Sequence, residues 1–359
     1  MKNTLIVFFS LVAIVFSCTA QNKDVPNHLK EYKDLYQQNP KEAALQWFHD
    51  ANYGLFIHYG LYSLYGEHPF VQYRNKIPVK VYEQRMYEFT AEKYNAQDYV
   101  DLAQKAGMKY ITFVTKHCDG FSLWNSKSNP FNSVNSAAKR DLVAEMVKAC
   151  NEAGLGIFLF YEHGFDWRHP HGPRYKDWKV RLVEVPYDNP DPTYATTDYD
   201  MSNYVEFVAA QITELLTQYG PVAGIWLDGI AVPISGDYTK FKLPELYDMI
   251  HEIQPHALIS YKFGVTGNED FLAPEYGQLK RIDLEDENRK LTEICFPLNR
   301  GWGYIVDDPQ AGIDELMEWK EKADQINANL LINVGPVGDG SILKENVETL
   351  IEFGRRTKK

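Results

Sequence analysis

Short apolar runs that end on a polar residue, each followed by an amphipathic stretch, recur along almost the whole 359-residue chain. This alternation constrains the fold more than any other feature. Candidate strands are Gly54–Tyr59, Tyr110–Lys116, Gly156–His163, Gly224–Asp228, Ala257–Lys262, Glu293–Pro297 and Asn329–Val334. Between them, Tyr204, Phe207, Val208, Ile212, Leu215 and Leu216 repeat at helical spacing, which predicts a helix over Tyr204–Tyr219. Leu142–Ala153, Leu243–Ile253 and Ile313–Ile326 carry the same pattern. Near-continuous apolar strands alternating with helices predict a parallel sheet covered on both faces. That sheet is either open and doubly wound or closed into a (β/α)8 TIM-like barrel. No glycine-rich phosphate loop follows the first strand, and seven or eight repeating units favour closure. A barrel of this kind needs about 250 residues, so residues 44–359 are read as one domain.

The polar residues gather where a barrel would place a site. Strand after strand ends on His58, on His117, on Tyr161 with Glu162 and His163, or on Asp228, and barrel sites form at the C-terminal strand ends. Asp228 closes Gly224-Ile-Trp-Leu-Asp228, with Trp226 two residues before it; taken alone, it could equally cap the following segment. Glu275 follows the next strand unit in Asp270-Phe-Leu-Ala-Pro-Glu275. Two carboxylates on neighbouring strand ends can cleave a glycosidic bond, one attacking the anomeric carbon and the other protonating the leaving oxygen and then activating water.

The bulk properties narrow the partners. The chain has 37 basic and 49 acidic residues, a net charge of −12, which argues against nucleic acid or an anionic membrane as partner. Tyr, Phe and Trp number 24, 19 and 7; they fit either a Tyr-rich core or surfaces that stack on sugar rings. Lys2 followed by the apolar run Leu5 to Phe16 reads as a signal peptide over residues 1–20, too short for a mature membrane span. It has two exits: cleavage after Ala20, or lipidation of Cys18 in the lipobox-like Val15-Phe-Ser-Cys18. Either predicts export, to the periplasm or to an outer-membrane anchor through a lipid on Cys18. Residues 21–43 are read as an N-terminal extension. Cys118, Cys150 and Cys295 show neither disulfide nor zinc spacing. His163, His169 and His171 cluster without a supporting carboxylate pattern, so no metal or other cofactor is expected. Pro186–Asp200, rich in Pro, Asp and Tyr, is read as a long rim loop.

The sequence blocks themselves add a resemblance. The stretch Trp47 to Ser63, then Lys116-His-Cys-Asp-Gly-Phe121, Tyr219 to Gly229, and Asn329-Leu-Leu-Ile-Asn-Val-Gly-Pro336 with Asp339-Gly340 resemble, in this order, the α-L-fucosidases of glycoside hydrolase family 29. The resemblance runs from about Ala44 to Ile342. It implies a retaining exo-glycosidase that removes terminal α-L-fucose from fucosylated oligosaccharides or glycoconjugates by double displacement. Asp228 would be the nucleophile, with His58, Glu67, His117, Tyr161, Trp226 and Lys262 as substrate-binding positions. Glu275 is the first choice for the acid/base, with Glu293 as the alternative. Cys118 stands where the family usually has a second His, His68 where a Trp is usual, and Lys262 where a substrate-binding Arg is usual; Lys lacks the planar fork of Arg. Those departures keep two other readings open, an exo-glycosidase for a related sugar such as α-L-galactose and an inactive glycan-binding barrel. The family's C-terminal β-sandwich is expected to be absent from this chain.

Overall fold

The computed structural model describes residues 24–173, 198–229, 238–286 and 288–358. The signal-peptide stretch, Cys18 and most of the Pro186–Asp200 loop lie outside them. The apolar runs form β1 (Tyr53–Ile57), β2 (Tyr110–Lys116), β3 (Gly156–Glu162), β4 (Gly224–Asp228), β5 (Leu258–Tyr261), β6 (Phe271–Leu272), β7 (Leu291–Pro297) and β8 (Ala328–Val334). They pair in parallel in sequence order, and β8 returns to β1, so the sheet is a closed barrel. The strand that sequence pattern missed is β6. Only Phe271 and Leu272 pair in it, and Glu269 and Asp270 on one side and Pro274 on the other hide so short a run.

Helices α1 (Lys33–Gln38), α2 (Pro40–Asp50), α3 (Ala96–Lys105), α4 (Leu142–Ala153), α5 (Met201–Gln218), α6 (Leu243–Ile253), α7 (Ile313–Gln325) and α8 (Lys344–Thr357) surround or close the barrel. Side chains of Asn39, Asn95, Asp141 and Asp200 accept from backbone N–H groups in the first turns of α2, α3, α4 and α5. That cap explains why α5 starts at Met201, ahead of the apolar periodicity at Tyr204.

Strand residues alternate between two cores. One face, including Leu55, Ile57, Phe113, Leu159, Tyr161, Leu227, Tyr261 and Ile332, packs outward on the helices. The other, including Phe56, Val114, Phe158, Phe160, Trp226, Leu258 and Leu331, fills the barrel. The stretch read as an N-terminal extension runs into α2, whose Ala43, Ala44, Trp47 and Phe48 join the inner core. Trp47 lies against Gly156, where any Cβ would collide with its indole. Aromatics plug that end, and the polar residues collect at the C-terminal ends of the strands.

Candidate active site

The site is the top layer of the inner face. Two residues beyond the packed rings of Phe56, Phe160 and Trp226 the alternation turns His58, Glu162 and Asp228 inward, and four beyond Leu258 it does the same for Lys262. Lys262 joins the acidic pair: its Nζ lies 3.3 Å from Asp228 Oδ1 and 3.0 Å from Glu275 Oε1. The two carboxylates keep 23% and 30% side-chain exposure, against 8% for the ammonium between them. Lys262 also lies 5.0 Å over the Trp226 ring, and its backbone is left-handed, with φ 44°. Strain of that kind costs on the order of 1–3 kcal/mol and persists where the surroundings over-determine it.

Charge balance in the pocket follows from burial. Burial pushes the Asp228 carboxyl above its usual range; Lys262 opposes that rise and Glu275 adds to it. Burial pulls the Lys262 ammonium down, yet Asp228 and Glu275 more than offset this, so it stays charged. Burial drives His58 down to about 3, against the bond to Asn333, and takes His117 well below its usual value, helped by the charge His58 would carry. Both rings are therefore neutral near pH 7, with one donor and one acceptor nitrogen each. The Asn333 amide nitrogen donates to the Trp302 carbonyl at 2.6 Å, leaving its oxygen to accept from His58 Nδ1 at 2.6 Å. His58 Nε2 is thus an acceptor, suited to a hydroxyl.

Several expected positions fall elsewhere. Tyr161 faces the outer core, where its hydroxyl donates to Gln211 Oε1 at 2.7 Å and its ring carries Lys116 Nζ at 4.7 Å; it does not line the pocket. Glu67 is exposed and accepts from Asn75 at 3.0 Å, while the neighbouring His68 is half-buried, with its ring in the field of Glu275. Trp226 is 1% exposed and forms the floor beneath Lys262. The aromatic face beside His58 is instead half-buried Trp302, ring centroids 5.4 Å apart. Glu293, the alternative acid/base, sits near the start of β7 inside the barrel, fully buried. It accepts from Tyr110 at 2.5 Å and Trp226 at 2.9 Å, and burial lifts its carboxyl to about 7.

The histidines of the cluster pack on aromatic rings. His163 packs on Phe241 and Tyr261, and His169 on Tyr204 and Phe207. Their partner His171 accepts from the Asp200 N–H at 3.1 Å. Lys116, in the block that resembles the family motif, forms a buried ion pair with Asp166 at 2.9 Å, whose other oxygen accepts from the N–H groups of Arg168 and His169. Glu162, a strand-end residue to which the sequence assigns no role, belongs to the pocket. It pairs in register with Asp228 and is 2% exposed, with Oε1 unpartnered. Burial, then the charge of Asp228, raises its carboxyl well above the usual range. Gly229, at φ 82°, leaves the space its carboxylate occupies.

Paired carboxylates in a pocket lined by neutral imidazoles suit an uncharged, hydroxyl-rich substrate, and the class this fold and site define is the glycoside hydrolases. The chain belongs to the α-L-fucosidase family, whose model, described as alpha-L-fucosidase, matches residues 19–359. It is 28% identical over 354 residues to a putative α-L-fucosidase of Caenorhabditis elegans, covering 90% of this chain and 67% of that protein. Human plasma α-L-fucosidase is 27% identical, over 86% of this chain and 66% of its own length. Among solved structures, α-L-fucosidase isoenzyme 1 from Paenibacillus thiaminolyticus superposes with a TM-score of 0.80 at 31% identity, over 89% of this chain and 76% of that one. The α-L-fucosidase AlfC from Lactobacillus casei, in complex with α-L-fucose product, gives 0.76 at 28% identity, over 88% and 98%.

Proposed function

We propose that the protein is a retaining exo-α-L-fucosidase, with Asp228 as nucleophile and Glu275 as acid/base. The observation that carries this reading is the Lys262 bridge. One ammonium in contact with both carboxylates holds Asp228 Oδ1 and Glu275 Oε1 no farther apart than those two contacts, 3.3 and 3.0 Å, laid end to end. So close an approach supports the roughly 5–5.5 Å carboxyl spacing of a retaining pair. Asp228 attacks the anomeric carbon from its strand end while Glu275 protonates the leaving oxygen; Glu275 then takes a proton from the water that releases the sugar. His58 and His117 engage sugar hydroxyls, with Trp302 as the aromatic border. A relative crystallised with Fuca(1,6)GlcNAc supports a fucosylated glycan as substrate. The N-terminal leader supports export to the periplasm or the outer membrane.

A hydrolysis panel tests the reading. Terminal α-L-fucosides should be cleaved, and proton NMR should show the α-anomer of the sugar first. Faster cleavage of α-L-galactosides would move the specificity to that sugar. Binding of fucosylated glycans without turnover would leave a glycan-binding barrel.

Lys262 gives a pH test of the same arrangement. Asp228 attacks only when ionised; burial already raises its carboxyl, and Lys262 is the opposing charge. Lys262→Met removes that opposition, so Asp228 holds its proton to higher pH. The acidic limb of the kcat/KM profile should therefore move upward by about 1–3 pH units, the usual effect of an adjacent cation on a carboxyl. An unmoved limb would mean that Lys262 does not act on the attacking group.

A further inference from the structure

Next to Asp228, three buried side chains of different chemistry converge from β3 and the turn after β2. One ligand atom each from His117, Cys118 and Glu162 can be chosen so that all lie within 4.8 Å of one another. The residues are 6%, 0% and 2% exposed. Among the described residues, two of their polar atoms, His117 Nδ1 and Glu162 Oε1, have no hydrogen-bond partner, and a buried polar atom left unpaired costs about 1–3 kcal/mol. Cys118 already hydrogen-bonds the Glu162 carboxyl within the trio, and the neighbouring cations have other partners. Lys116 is committed to Asp166 and Lys262 to Asp228 and Glu275.

An imidazole nitrogen, a thiol sulfur and a carboxylate oxygen are the donor types that zinc selects. Around one ion at about 2.0–2.3 Å from each donor, tetrahedral geometry separates the donors by roughly 3–4 Å. The trio's atoms, within 4.8 Å of one another, lie close to that spacing. Three protein ligands leave a fourth position open, as in a zinc site that accepts a small ligand. Sequence spacing could not reveal the trio, since Glu162 comes from the neighbouring strand.

We infer that His117, Cys118 and Glu162 form a site for a thiophilic divalent cation, zinc in the first instance, in the floor of the pocket. Coordination displaces the Cys118 proton, and the proton held by the Glu162 carboxyl, to solvent. The bound ion removes His117 from the sugar and adds positive charge beside Asp228, so it inhibits in competition with the fucosyl group. The inhibition rests on the proposed fucosidase reading; the ion site does not.

The test uses cobalt(II) as a spectroscopic stand-in for zinc, titrated into the mature protein without sugar. One equivalent should produce a thiolate-to-cobalt charge-transfer band that zinc bleaches. Cys118→Ser should abolish the band and weaken zinc binding by at least about a hundredfold, more than loss of an outer-shell partner does. Cys150→Ser, whose thiol is buried in α4, should leave the band unchanged. Glu162→Gln keeps the shape of the side chain and should weaken zinc binding by at least about tenfold, so the inference stays testable if Cys118→Ser fails to fold. Zinc should also inhibit fucoside hydrolysis, with recovery on adding a chelator or excess fucose. No cobalt band, or one that survives Cys118→Ser, overturns the site. If neither metal binds and Glu162→Gln instead raises KM, the unpaired atoms belong to the sugar. A cobalt band without any hydrolysis would overturn the fucosidase reading and leave the ion site standing.

Discussion

Asp228→Ala is expected to lower kcat/KM by roughly 10⁴-fold or more on every fucoside, the scale seen when a covalent nucleophile is removed from a preorganised site. The fold should survive. Among the described residues, Asp228 Oδ1 accepts from the adjacent Gly229 N–H, at 2.8 Å, and from Lys262, and the side chain is not part of either core. An unchanged melting temperature alongside lost turnover is therefore the expected pair of results. Added azide supplies a sharper readout. With the nucleophile gone, azide displaces the leaving group directly, in one step, and gives the fucosyl azide of inverted configuration. Near wild-type turnover, or an azide product of retained configuration, would remove Asp228 from the attacking role.

The barrel was legible because its signal is carried by whole strands, whereas the site depends on single positions and on which face each one takes. Phe56, Phe160 and Trp226 mark the inner face, so period-2 alternation turns His58, Glu162 and Asp228 inward and Tyr161 outward to Gln211. The family resemblance implies Tyr161 as a sugar ligand, whereas counting two residues on from Phe160 selects Glu162. Glu67 and His68 sit in irregular backbone, where no period assigns a face. Trp226 and Trp302 could not be ranked from sequence either. The first is pinned inside the barrel by its indole N–H, which donates to Glu293, while the second arrives from the loop after β7. The Lys262 bridge is a tertiary fact of the same kind. It joins residues from β4, the end of β5 and the segment after β6, and the last of these strands is too short to leave a pattern in the chain.

Glu275→Ala should separate substrates by leaving group. For natural glycosides, whose leaving oxygen needs a proton, turnover is expected to fall by about 10²–10⁴-fold, the usual contribution of a positioned general acid. Aryl fucosides with an activated phenol need little protonation and should lose far less in the first step, then stall as the fucosyl-enzyme waits for a base. Azide needs no base, so it should rescue that second step and yield an azide of retained configuration, the product of two displacements. Retained configuration here and inverted configuration with Asp228→Ala together assign the two carboxylates. Glu293→Gln is the contrast. Its carboxylate is enclosed by Tyr110 and Trp226 below the pocket, so this variant should show neither leaving-group dependence nor azide rescue. Loss of turnover in Glu275→Ala that is equal for activated and natural leaving groups would place Glu275 in substrate binding and leave the proton to another group.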